Sequence, residues 1–353
     1  MKNIPDYWQR NVAGQALTSM RCGGIVMFLA LPQTLEQLHE TLSLAVASDI
    51  PYRMIGGGSN LILPDQGYAG VLIRPQFRQL RMLLTNGLNQ ELERMSTANS
   101  EQQRYRSSGG GYLQLESEPI VDGPLRLFEA GCDVSWGQLV QFSLKNRLHG
   151  LHRYARIPCK VGGAVCNNIH AAEHLLQEAV CYVEAMDLTS GEVVRYAGEA
   201  LEFGYDSSRF QRTGEPILAV TFALPEVSAA QSTADAAFYR DWTARKAAVQ
   251  PSGANCGSVF KNLSPESGLE NLAAGYYVEA CGFKGRRVGG MEVYPGHANF
   301  IVNVGNGTQA DLLALIFEII EAVQARFGFR LEPEVECLNQ IGQTIQWEQS
   351  VTS

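Results

Sequence analysis

The sequence contains a glycine-rich turn, Ile55-Gly56-Gly57-Gly58-Ser59-Asn60-Leu61-Ile62-Leu63-Pro64-Asp65, between two short apolar segments. Each of these segments has the composition of a short β-strand. Because glycine lacks Cβ, backbone N–H groups in the turn can approach an anion closely, and Ser59 and Asn60 add side-chain donors. The turn is not a Walker loop, since no Gly-Lys-Ser/Thr follows, nor a dinucleotide fingerprint, since Leu61 occupies the third glycine position. It fits either an anion-binding loop or a purely structural turn.

The segments around the turn predict a compact α+β unit. Thr34 and Gln37 have the spacing of a helix cap, and apolar residues then recur at helical intervals as far as Val46. After the turn, Val71–Ile73 has the composition of another strand.

The clearest helix lies near the C-terminal end of the sequence. Thr308 and Asp311 cap it and Gly328 ends it. Its apolar residues form one stripe that predicts core packing: Leu312, Leu315, Ile316, Ile319, Ile320, Val323 and Phe327. Two stretches have a linker-like composition instead, namely residues 88–123, which we expect to be a flexible insertion, and Glu226–Ala237.

Composition limits the class of protein. The 353 residues are 45% hydrophobic and 18% charged, which excludes a disordered chain. The formal net charge of −8 argues against a general nucleic-acid binder, whose binding face should be basic. No apolar run approaches the ~20 residues that span a bilayer, the first ten residues lack the layout of a secretion signal, and the 8 cysteines include no Cys-x-x-Cys pair. We therefore expect a reduced, cytoplasmic protein without a membrane segment.

Three further motifs have the residue types of chemical sites. Residues 157–168 read Ile-Pro-Cys-Lys-Val-Gly-Gly-Ala-Val-Cys-Asn-Asn, which fits either a ligand-contacting loop or a tight turn. Ser258 and Lys261 match the S-x-x-K of penicillin-binding proteins, but the S-D-N and K-T-G partners do not occur. His170-Ala171-Ala172-Glu173-His174 matches H-x-x-E-H, a zinc-protease pattern, but no third ligand can be nominated. We expect a solvated helix there and no metal.

Taken in order along the chain, these segments resemble the family of UDP-N-acetylenolpyruvoylglucosamine reductases, the flavoenzymes of peptidoglycan precursor synthesis. The resemblance covers most of the chain apart from residues 88–123 and the extreme ends. Each motif alone is weak, and their ordered set is specific. The set comprises Thr18–Gly24, Ile55–Asp65, Ala130-Gly131 with Trp136, Gly150-Leu151, Ile157–Asn168, Phe203-Gly204-Tyr205 with Ser208 and Phe210, Lys246, Gly257–Asn262, Ala274-Gly275 through Gly290, His297–Asn303 and Leu331–Val335.

The resemblance implies an α+β fold, with a two-lobed FAD-binding domain of the vanillyl-alcohol-oxidase type and a C-terminal α/β substrate domain. We expect the first lobe in residues 1–78, the second in 79–224, the substrate domain in 225–330 and a tail carrying the Leu-Glu-Pro-Glu motif in 331–353. The short segment after Asn262 resembles the subgroup without a long tyrosine-bearing substrate loop.

The same resemblance implies the reaction and its residues. In this family NADPH reduces FAD and leaves, and the enolpyruvyl ether of UDP-N-acetylglucosamine then takes its place and is reduced to UDP-N-acetylmuramate. Ser258 would donate the proton, and Glu334, if protonated, would assist at the substrate carboxylate. Tyr205, Lys246 and Asn262 would hold this UDP-sugar. The residues implied to bind FAD are Gly56, Gly57, Gly58, Ser59, Asn60, Gly131, Ile157, Pro158, Gly162, Gly163, Ala164 and Asn168. We expect a monomer or weak dimer without nucleic-acid or membrane partners.

The sequence departs from the family at an arginine that lies near the substrate carboxylate. The family reads Tyr-Arg-x-Ser-x-Phe, and Asp206 occupies its arginine position. At 4 Å and an effective dielectric constant near 20, unit charges interact by roughly 4 kcal/mol, so exchanging attraction for repulsion needs compensation. Arg209 is one stand-in for the missing guanidinium. Arg156 or Lys246, oriented by Asp206, is a second reading, and a different ligand is the third.

A second departure lies at residues 169–174, which read Ile-His-Ala-Ala-Glu-His where the family usually has Asn-x-Gly-Ala-Tyr-Gly. Cys159-Lys160 likewise replaces the common Gly-Thr. We expect flavin binding to survive, because it relies mainly on backbone donors. Two alternatives to the leading function stay open: an FAD-dependent oxidoreductase of the same fold acting on a different sugar nucleotide or small molecule, and a flavin-binding paralogue without turnover.

Overall fold

The computed structural model describes residues 4–83, 123–171, 174–264, 267–269 and 271–347. Apart from Gly123, the predicted insertion 88–123 lies outside the described residues. None of the described helices is both long enough and apolar enough to cross a membrane.

The helices and strands have the following bounds. The helices are α1 (Leu35–Ala47), α2 (Trp136–Lys145), α3 (Val161–Cys166), α4 (Arg209–Thr213), α5 (Ala229–Val249), α6 (Ala274–Ala280) and α7 (Gln309–Phe327). The strands are β1 (Trp8–Ala13), β2 (Ile25–Ala30), β3 (Tyr52–Met54), β4 (Leu61–Ile62), β5 (Tyr68–Ile73), β6 (Leu80–Met82), β7 (Leu125–Gly131), β8 (His170–Ala171), β9 (His174–Leu175), β10 (Val180–Met186), β11 (Val193–Ala197), β12 (Ile217–Pro225), β13 (Ala254–Ser258), β14 (Arg287–Val288), β15 (Met291–Val293), β16 (Phe300–Asn303) and β17 (Glu336–Cys337).

The first sheet has the order β1-β2-β5-β3 and packs against α1. As predicted, Thr34 caps this helix, because its Oγ1 accepts a hydrogen bond from Gln37 N at 3.2 Å. Strands β3 and β5 are parallel, so their carboxyl ends meet at one edge of the sheet. Ile55 N donates to Ile73 O at 2.9 Å at that edge, and the glycine turn leaves the sheet there.

The second sheet has the order β11-β10-β12-β7-β6 and is antiparallel throughout. Its core contains Trp136, which is 1% exposed, and the stacked rings of Phe128 and Phe222. Helix α3 is anchored in this core by Val161 and Val165, both fully buried. The burial of these two side chains fixes the backbone of the glycine pair that lies between them.

The third sheet has the order β13-β16-β15-β14 and is covered by α7, whose predicted apolar stripe is buried from Leu312 to Val323. The N-terminus of α7 is held by Asp65, whose carboxylate accepts hydrogen bonds from Gln309 N at 2.7 Å and Ala310 N at 3.0 Å. After α7 the chain returns to the first lobe, because β17 pairs in parallel with β4. This return brings residues just before β17 to the glycine turn.

The linker predicted at Glu226–Ala237 is wrong. Ser228 Oγ accepts a hydrogen bond from Gln231 N at 3.2 Å and caps α5, which is 21 residues long. Alanine favours helices, and Asp235 and Trp242 are the buried residues of α5, so its sequence lacks a continuous apolar stripe. Composition alone therefore predicts a linker where the chain forms a helix.

The three sheets follow one another along the chain. They span Trp8–Ile73, Leu80–Pro225 and Ala254–Asn303. The exact domain boundaries at 78, 224 and 330 stay a prediction.

Candidate active site

The glycine turn is fixed against the segment that precedes β2. Gly58 has φ +66°, and a Cβ at this residue would lie 2.1 Å from Leu17 O, so the position requires glycine. Ser19 holds the turn from the same side, because its N donates to Gly58 O at 3.0 Å and its Oγ lies 3.2 Å from Ser59 O. The backbone of the turn is thus set before any ligand binds.

The turn faces the second glycine-rich segment across a narrow gap. A Cβ at Gly56 would lie 3.8 Å from Gly163 N, and one at Gly57 would lie 3.7 Å from Pro158 O. Two segments that the sequence separates by about a hundred residues therefore meet, as the FAD prediction requires. Their backbone amides are the groups that could hold a phosphate.

Two buried polar atoms beside the turn have no hydrogen-bond partner among the described residues. They are Thr18 Oγ1 and Arg74 Nε. Both residues lie next to the carbonyl oxygen of Leu17, which accepts a hydrogen bond from Arg74 Nη2 at 3.4 Å. This is the same oxygen that excludes a Cβ atom at Gly58. Buried polar groups are normally paired, so these atoms fit a site for a polar ligand group. The prediction missed both residues, and only the charge of Arg74 directly after an apolar strand could have suggested it.

The glycine turn is bonded to the segments that carry the predicted catalytic residues. Asn60 Nδ2 donates to Glu334 O at 3.0 Å, and Glu336 N donates to Asn60 O at 3.0 Å. Ser19 Oγ also donates to Asn255 O at 2.6 Å, on the strand that ends at Ser258. The side chain of Asn60 therefore positions protein groups.

Ser258 and Glu334 are brought together by backbone pairing. Glu334 N donates to Val259 O at 2.8 Å. The pKa of Glu334 is raised to about 7, mainly by burial and next by the negative charge of Asp206, against the positive charges of His170 and Lys261. Near neutral pH a large fraction of Glu334 is therefore protonated and able to donate a hydrogen bond.

Asp206 forms a pair with His170, which lies in the second region where the sequence departs from the family. His170 Nδ1 lies 3.1 Å from Asp206 Oδ1, and Tyr205 Oη lies 3.3 Å from His170 Nε2. The rings of Tyr205 and His170 stack with centroids 4.8 Å apart. Burial lowers the pKa of His170, but the hydrogen bond and charge of Asp206 outweigh burial and raise it above the usual value.

Lys246 lies at the C-terminal end of α5, where its Nζ donates to Ala155 O at 3.0 Å. Its pKa is lowered to about 8 by burial and by the nearby charge of Arg156, and its own charge acts on His170. Of the predicted substrate residues, Tyr205 contacts the histidine and Lys246 acts on it through its charge. The third such residue bonds to the first residue of α6, because Asn262 Oδ1 accepts from Ala274 N at 3.3 Å.

The structure does not bring Arg209 to Asp206. Its Nε donates to Glu215 Oε2 at 3.1 Å, its Nη1 donates to Ala200 O at 3.0 Å, and its guanidinium lies over the ring of Tyr196. Arg209 can stand in for the family arginine only if residues 206 and 209 share a helical turn, since residues three apart lie on opposite faces of a strand. Arg209 begins α4 whereas Asp206 precedes it with φ +50°, so the two residues do not lie on one helix.

Three predicted FAD residues are engaged by the protein itself. A Cβ at Gly131 would lie 2.3 Å from Phe77 O, and Gly162 N donates to Cys132 O at 2.9 Å. Ala164 is fully buried in the core of the second sheet. These positions set the close packing that supports the glycine segment.

Asn168 and Ile157 also have protein partners. Asn168 Nδ2 donates to Gln177 Oε1 at 2.9 Å and to Gly204 O at 2.8 Å, while its Oδ1 accepts from Gln177 N at 2.9 Å. Ile157 packs against the core of the second sheet. The side-chain amide of Asn168 therefore ties together segments of the protein.

The H-x-x-E-H pattern does not form a helix. His170 and His174 lie on the paired strands β8 and β9, and Glu173 lies outside the described residues. His170 pairs with Asp206, whereas His174 Nδ1 lies 3.2 Å from Glu178 Oε2. The expectation of a solvated helix is wrong, because the two histidines belong to a hairpin.

A second cluster of potential metal ligands lies outside this site. His149, His152 and Asp235 are buried, and their ligand atoms lie within 4.8 Å of one another. His149 Nδ1 is 2.9 Å from Asp235 Oδ2, and Arg153 Nη2 is 3.0 Å from His149 Nε2. A guanidinium at this distance already occupies one ring nitrogen and repels a cation, so we assign the cluster a structural role.

Comparisons with known proteins agree with this geometry. Residues 249–338 match the family model for the C-terminal domain of UDP-N-acetylenolpyruvoylglucosamine reductase. The chain is 32% identical to the UDP-N-acetylenolpyruvoylglucosamine reductase of Geobacter metallireducens over 326 residues, which are 92% of this chain and 91% of that protein. It is also 32% identical to the reductase of Parasynechococcus marenigrum over 333 residues, 93% of this chain and 95% of that protein.

A solved structure shows the same fold. The crystal structure of UDP-N-acetylenolpyruvylglucosamine reductase (MurB) from Thermus caldophilus superimposes with a TM-score of 0.66 at 26% identity, covering 93% of this chain and 98% of that chain. The predicted α+β fold class is confirmed. This chain belongs to the UDP-N-acetylenolpyruvoylglucosamine reductase family.

Proposed function

We propose that this protein is an FAD-dependent reductase that uses NADPH to convert the enolpyruvyl ether of UDP-N-acetylglucosamine to UDP-N-acetylmuramate. One observation carries the proposal: the glycine turn, the Ser258 strand and the Glu334 segment form one hydrogen-bonded unit. Asn60 Nδ2 donates to Glu334 O at 3.0 Å, and Glu334 N donates to Val259 O at 2.8 Å. The segments that carry the glycine turn, the Ser258 hydroxyl and the Glu334 carboxyl group are therefore neighbours, which supports one shared site.

The protein fits FAD through its backbone. Bound FAD would supply hydride transfer from NADPH to the outer carbon of the enol ether. The amides of Gly56, Gly57 and Gly163 would hold the pyrophosphate, and the unpartnered Thr18 and Arg74 atoms lie beside them. The close contact at Gly58 keeps the turn in one conformation, so little ordering is needed on binding.

The protein's own groups complete the reduction. Ser258 Oγ–H gives its proton to the inner carbon, so a C–H bond forms as the O–H bond breaks. Negative charge grows on the substrate carboxylate as hydride adds, and protonated Glu334 donates a hydrogen bond to it. Lys246 adds positive charge that acts on His170, and Asn262 contacts the substrate.

Absorption spectra test this assignment in one experiment. The purified protein should be yellow, NADPH should bleach the flavin band, and the enolpyruvyl nucleotide should restore it. Ser258→Ala should slow the last step by about 10²- to 10⁴-fold while NADPH still bleaches the band. Ser252→Ala, an exposed serine on the loop before β13, is the matched control and should behave like the wild type.

Other outcomes would contradict the proposal. Reduced flavin that ignores the enolpyruvyl nucleotide but is reoxidised by another sugar nucleotide would establish a different substrate. Flavin that no nucleotide reoxidises would indicate a binding protein without turnover.

We infer further that the enzyme acts in the cytoplasm, as a monomer or weak dimer without nucleic-acid or membrane partners. All eight cysteines are free, which suits a reducing compartment. Light scattering after size exclusion would test the oligomeric state, and a stable tetramer would contradict it.

A further inference from the structure

Asp206 poses a charge problem at the proposed site, because a carboxylate there repels the carboxylate of the substrate. We propose that His170, held by Asp206, is the cation that faces the substrate carboxylate in place of the family arginine. The inference rests on the proposed function and adds a residue to it. His170 is the group that would touch substrate, and Asp206 is a positioning residue.

The geometry exposes the positive member of the pair. The side chain of Asp206 is 9% exposed, whereas that of His170 is 24% exposed. With both ring nitrogens protonated, Nδ1–H donates to Asp206 and Nε2–H points to Tyr205 Oη at 3.3 Å. An incoming carboxylate can replace Tyr205 Oη as the acceptor of Nε2–H, and the tyrosine hydroxyl can rotate to donate to the same carboxylate.

One carboxylate oxygen of the pair has no donor within the described ranges of the protein. Asp206 Oδ2 is buried and has no hydrogen-bond partner in the described part of the chain. A buried carboxylate oxygen without a partner is costly and rare. Its negative charge acts instead on two neighbours, favouring the charged form of His170 and the protonated form of Glu334. Both of these forms can donate hydrogen bonds to a carboxylate.

The two segments are fixed at this separation. Asn168 Nδ2 donates to Gly204 O at 2.8 Å, and Ser208 Oγ donates to Cys166 O at 2.6 Å. These bonds tie the segment before β8 to the turn that carries Asp206. The two departures from the family, 36 residues apart in sequence, are therefore in contact, and the positive charge of His170 compensates the negative charge of Asp206.

Every charged group that acts on the pair enters the expected pH dependence. Asp206 and Glu334 favour the charged form of His170, whereas burial and Lys246 oppose it. Around Glu334, Asp206 favours the neutral form, whereas His170 and Lys261 favour the charged form. Substrate reduction needs charged His170 and neutral Glu334, so its rate should fall as pH rises through both pKa values.

The test measures reoxidation of photoreduced FAD by the enolpyruvyl nucleotide, so that NADPH is not required. His170→Asn should weaken saturation by this nucleotide by about 10- to 100-fold, the usual cost of losing a hydrogen bond to a charged group. His174→Asn, on the neighbouring strand and paired with Glu178, is the matched control and should match the wild type. Restoring the arginine in the double variant His170→Asn/Asp206→Arg should recover saturation.

The pH profile separates this role from a merely structural one. In His170→Asn the fall in rate that is due to Glu334 should move to higher pH, because Glu334 loses a positive charge that lowers its pKa. Asp206→Asn should move the profile to lower pH, because it removes the charge that raises both pKa values. Opposite shifts support the proposal. Equal losses of rate with unshifted profiles would overturn it.

The remaining outcomes are also decisive. If the wild type responds to the nucleotide and His170→Asn saturates equally well, the role of His170 is refuted while the proposed function stands. If reduced wild-type flavin ignores the nucleotide, the proposed function itself fails. If His170→Asn does not retain FAD, the pH dependence of the reoxidation rate in Asp206→Asn is the deciding measurement. A pH dependence equal to that of the wild type would refute the proposal.

Discussion

The histidine–aspartate pairs His149–Asp235 and His170–Asp206 differ in how completely their polar atoms are hydrogen-bonded. In the pair His149–Asp235, the second carboxylate oxygen accepts from Gln231 Nε2 at 2.8 Å and the second ring nitrogen meets Arg153 Nη2 at 3.0 Å. Its two side chains are 6% and 2% exposed. Every polar atom of this pair has a partner, so nothing is left for a ligand.

The pair His170–Asp206 is built the other way. Asp206 Oδ2 has no partner among the described residues, His170 is partly exposed, and the charges of the pair act on Glu334, whose pKa is raised to about 7. A satisfied pair holds elements together, whereas an incomplete pair keeps capacity for a ligand at a cost in stability. The difference between the pairs is therefore one between packing and chemistry.

The largest expected effect is on the satisfied pair. His149→Leu should lower the free energy of unfolding by about 2–3 kcal/mol, because Asp235 stays buried and loses the hydrogen bond from His149 Nδ1. Urea unfolding would measure this change. The rate of substrate-driven reoxidation per folded molecule should not change, and a loss of that rate at full stability would reverse the roles assigned to the two pairs.

Local sequence signals explain much of the agreement between prediction and structure. Helices α1 and α7 have caps and apolar stripes within one segment, so the sequence identifies them. The glycine turn is likewise a local signal. Helix α5 was missed because its Ala-, Ser- and Thr-rich start carries no such stripe.

The site was only partly predictable, because its charges are paired across the fold. Nothing in the residues adjacent to Asp206 indicates His170, since the contact depends on how β8 and the turn before α4 pack. Arg209 was chosen for its closeness in sequence, but Glu215 holds its guanidinium. The roles of Ser258 and Glu334 in catalysis stay predictions that the experiments above address.

The next effect is the pH dependence of flavin reoxidation, which involves Glu334 and the two residues of the pair His170–Asp206 that act on its pKa. Reoxidation by the enolpyruvyl nucleotide should fall as pH rises above about 7, by up to about tenfold per pH unit, because Glu334 loses its proton. Glu334→Gln keeps a hydrogen-bond donor that does not titrate. The rate in this variant should therefore fall less steeply with pH, and the remaining fall should be due to the loss of the proton from His170. Stopped-flow rates between pH 6 and 9 would measure it, and an unchanged profile in Glu334→Gln would refute the assignment.

The satisfied pair should respond to acid instead. Burial raises the pKa of Asp235, but hydrogen bonds from His149 and Gln231 outweigh burial and lower it below the ordinary 3.8. A lowered pKa contributes stability that is present above the unfolded-state value and is lost as pH falls through the folded-state value. Below pH 4 the unfolding free energy of Asp235→Asn should therefore fall less steeply with pH than that of the wild type. The two slopes should differ by at most about 1.4 kcal/mol per pH unit. Equal slopes would mean that this pair is not formed.

The smallest effect is expected at the pair His174–Glu178, which has the same residue types as a metal site but lies near the surface. The side chains are 25% and 42% exposed and their atoms lie 3.2 Å apart. Exposed pairs contribute about 0–1 kcal/mol, because water screens the charges. Glu178→Ala should therefore change the free energy of unfolding by less than about 1 kcal/mol and leave nucleotide-driven reoxidation intact. Urea unfolding with and without zinc would check this, since stabilisation by zinc that Glu178→Ala abolishes would show a metal site where we assign only a surface contact.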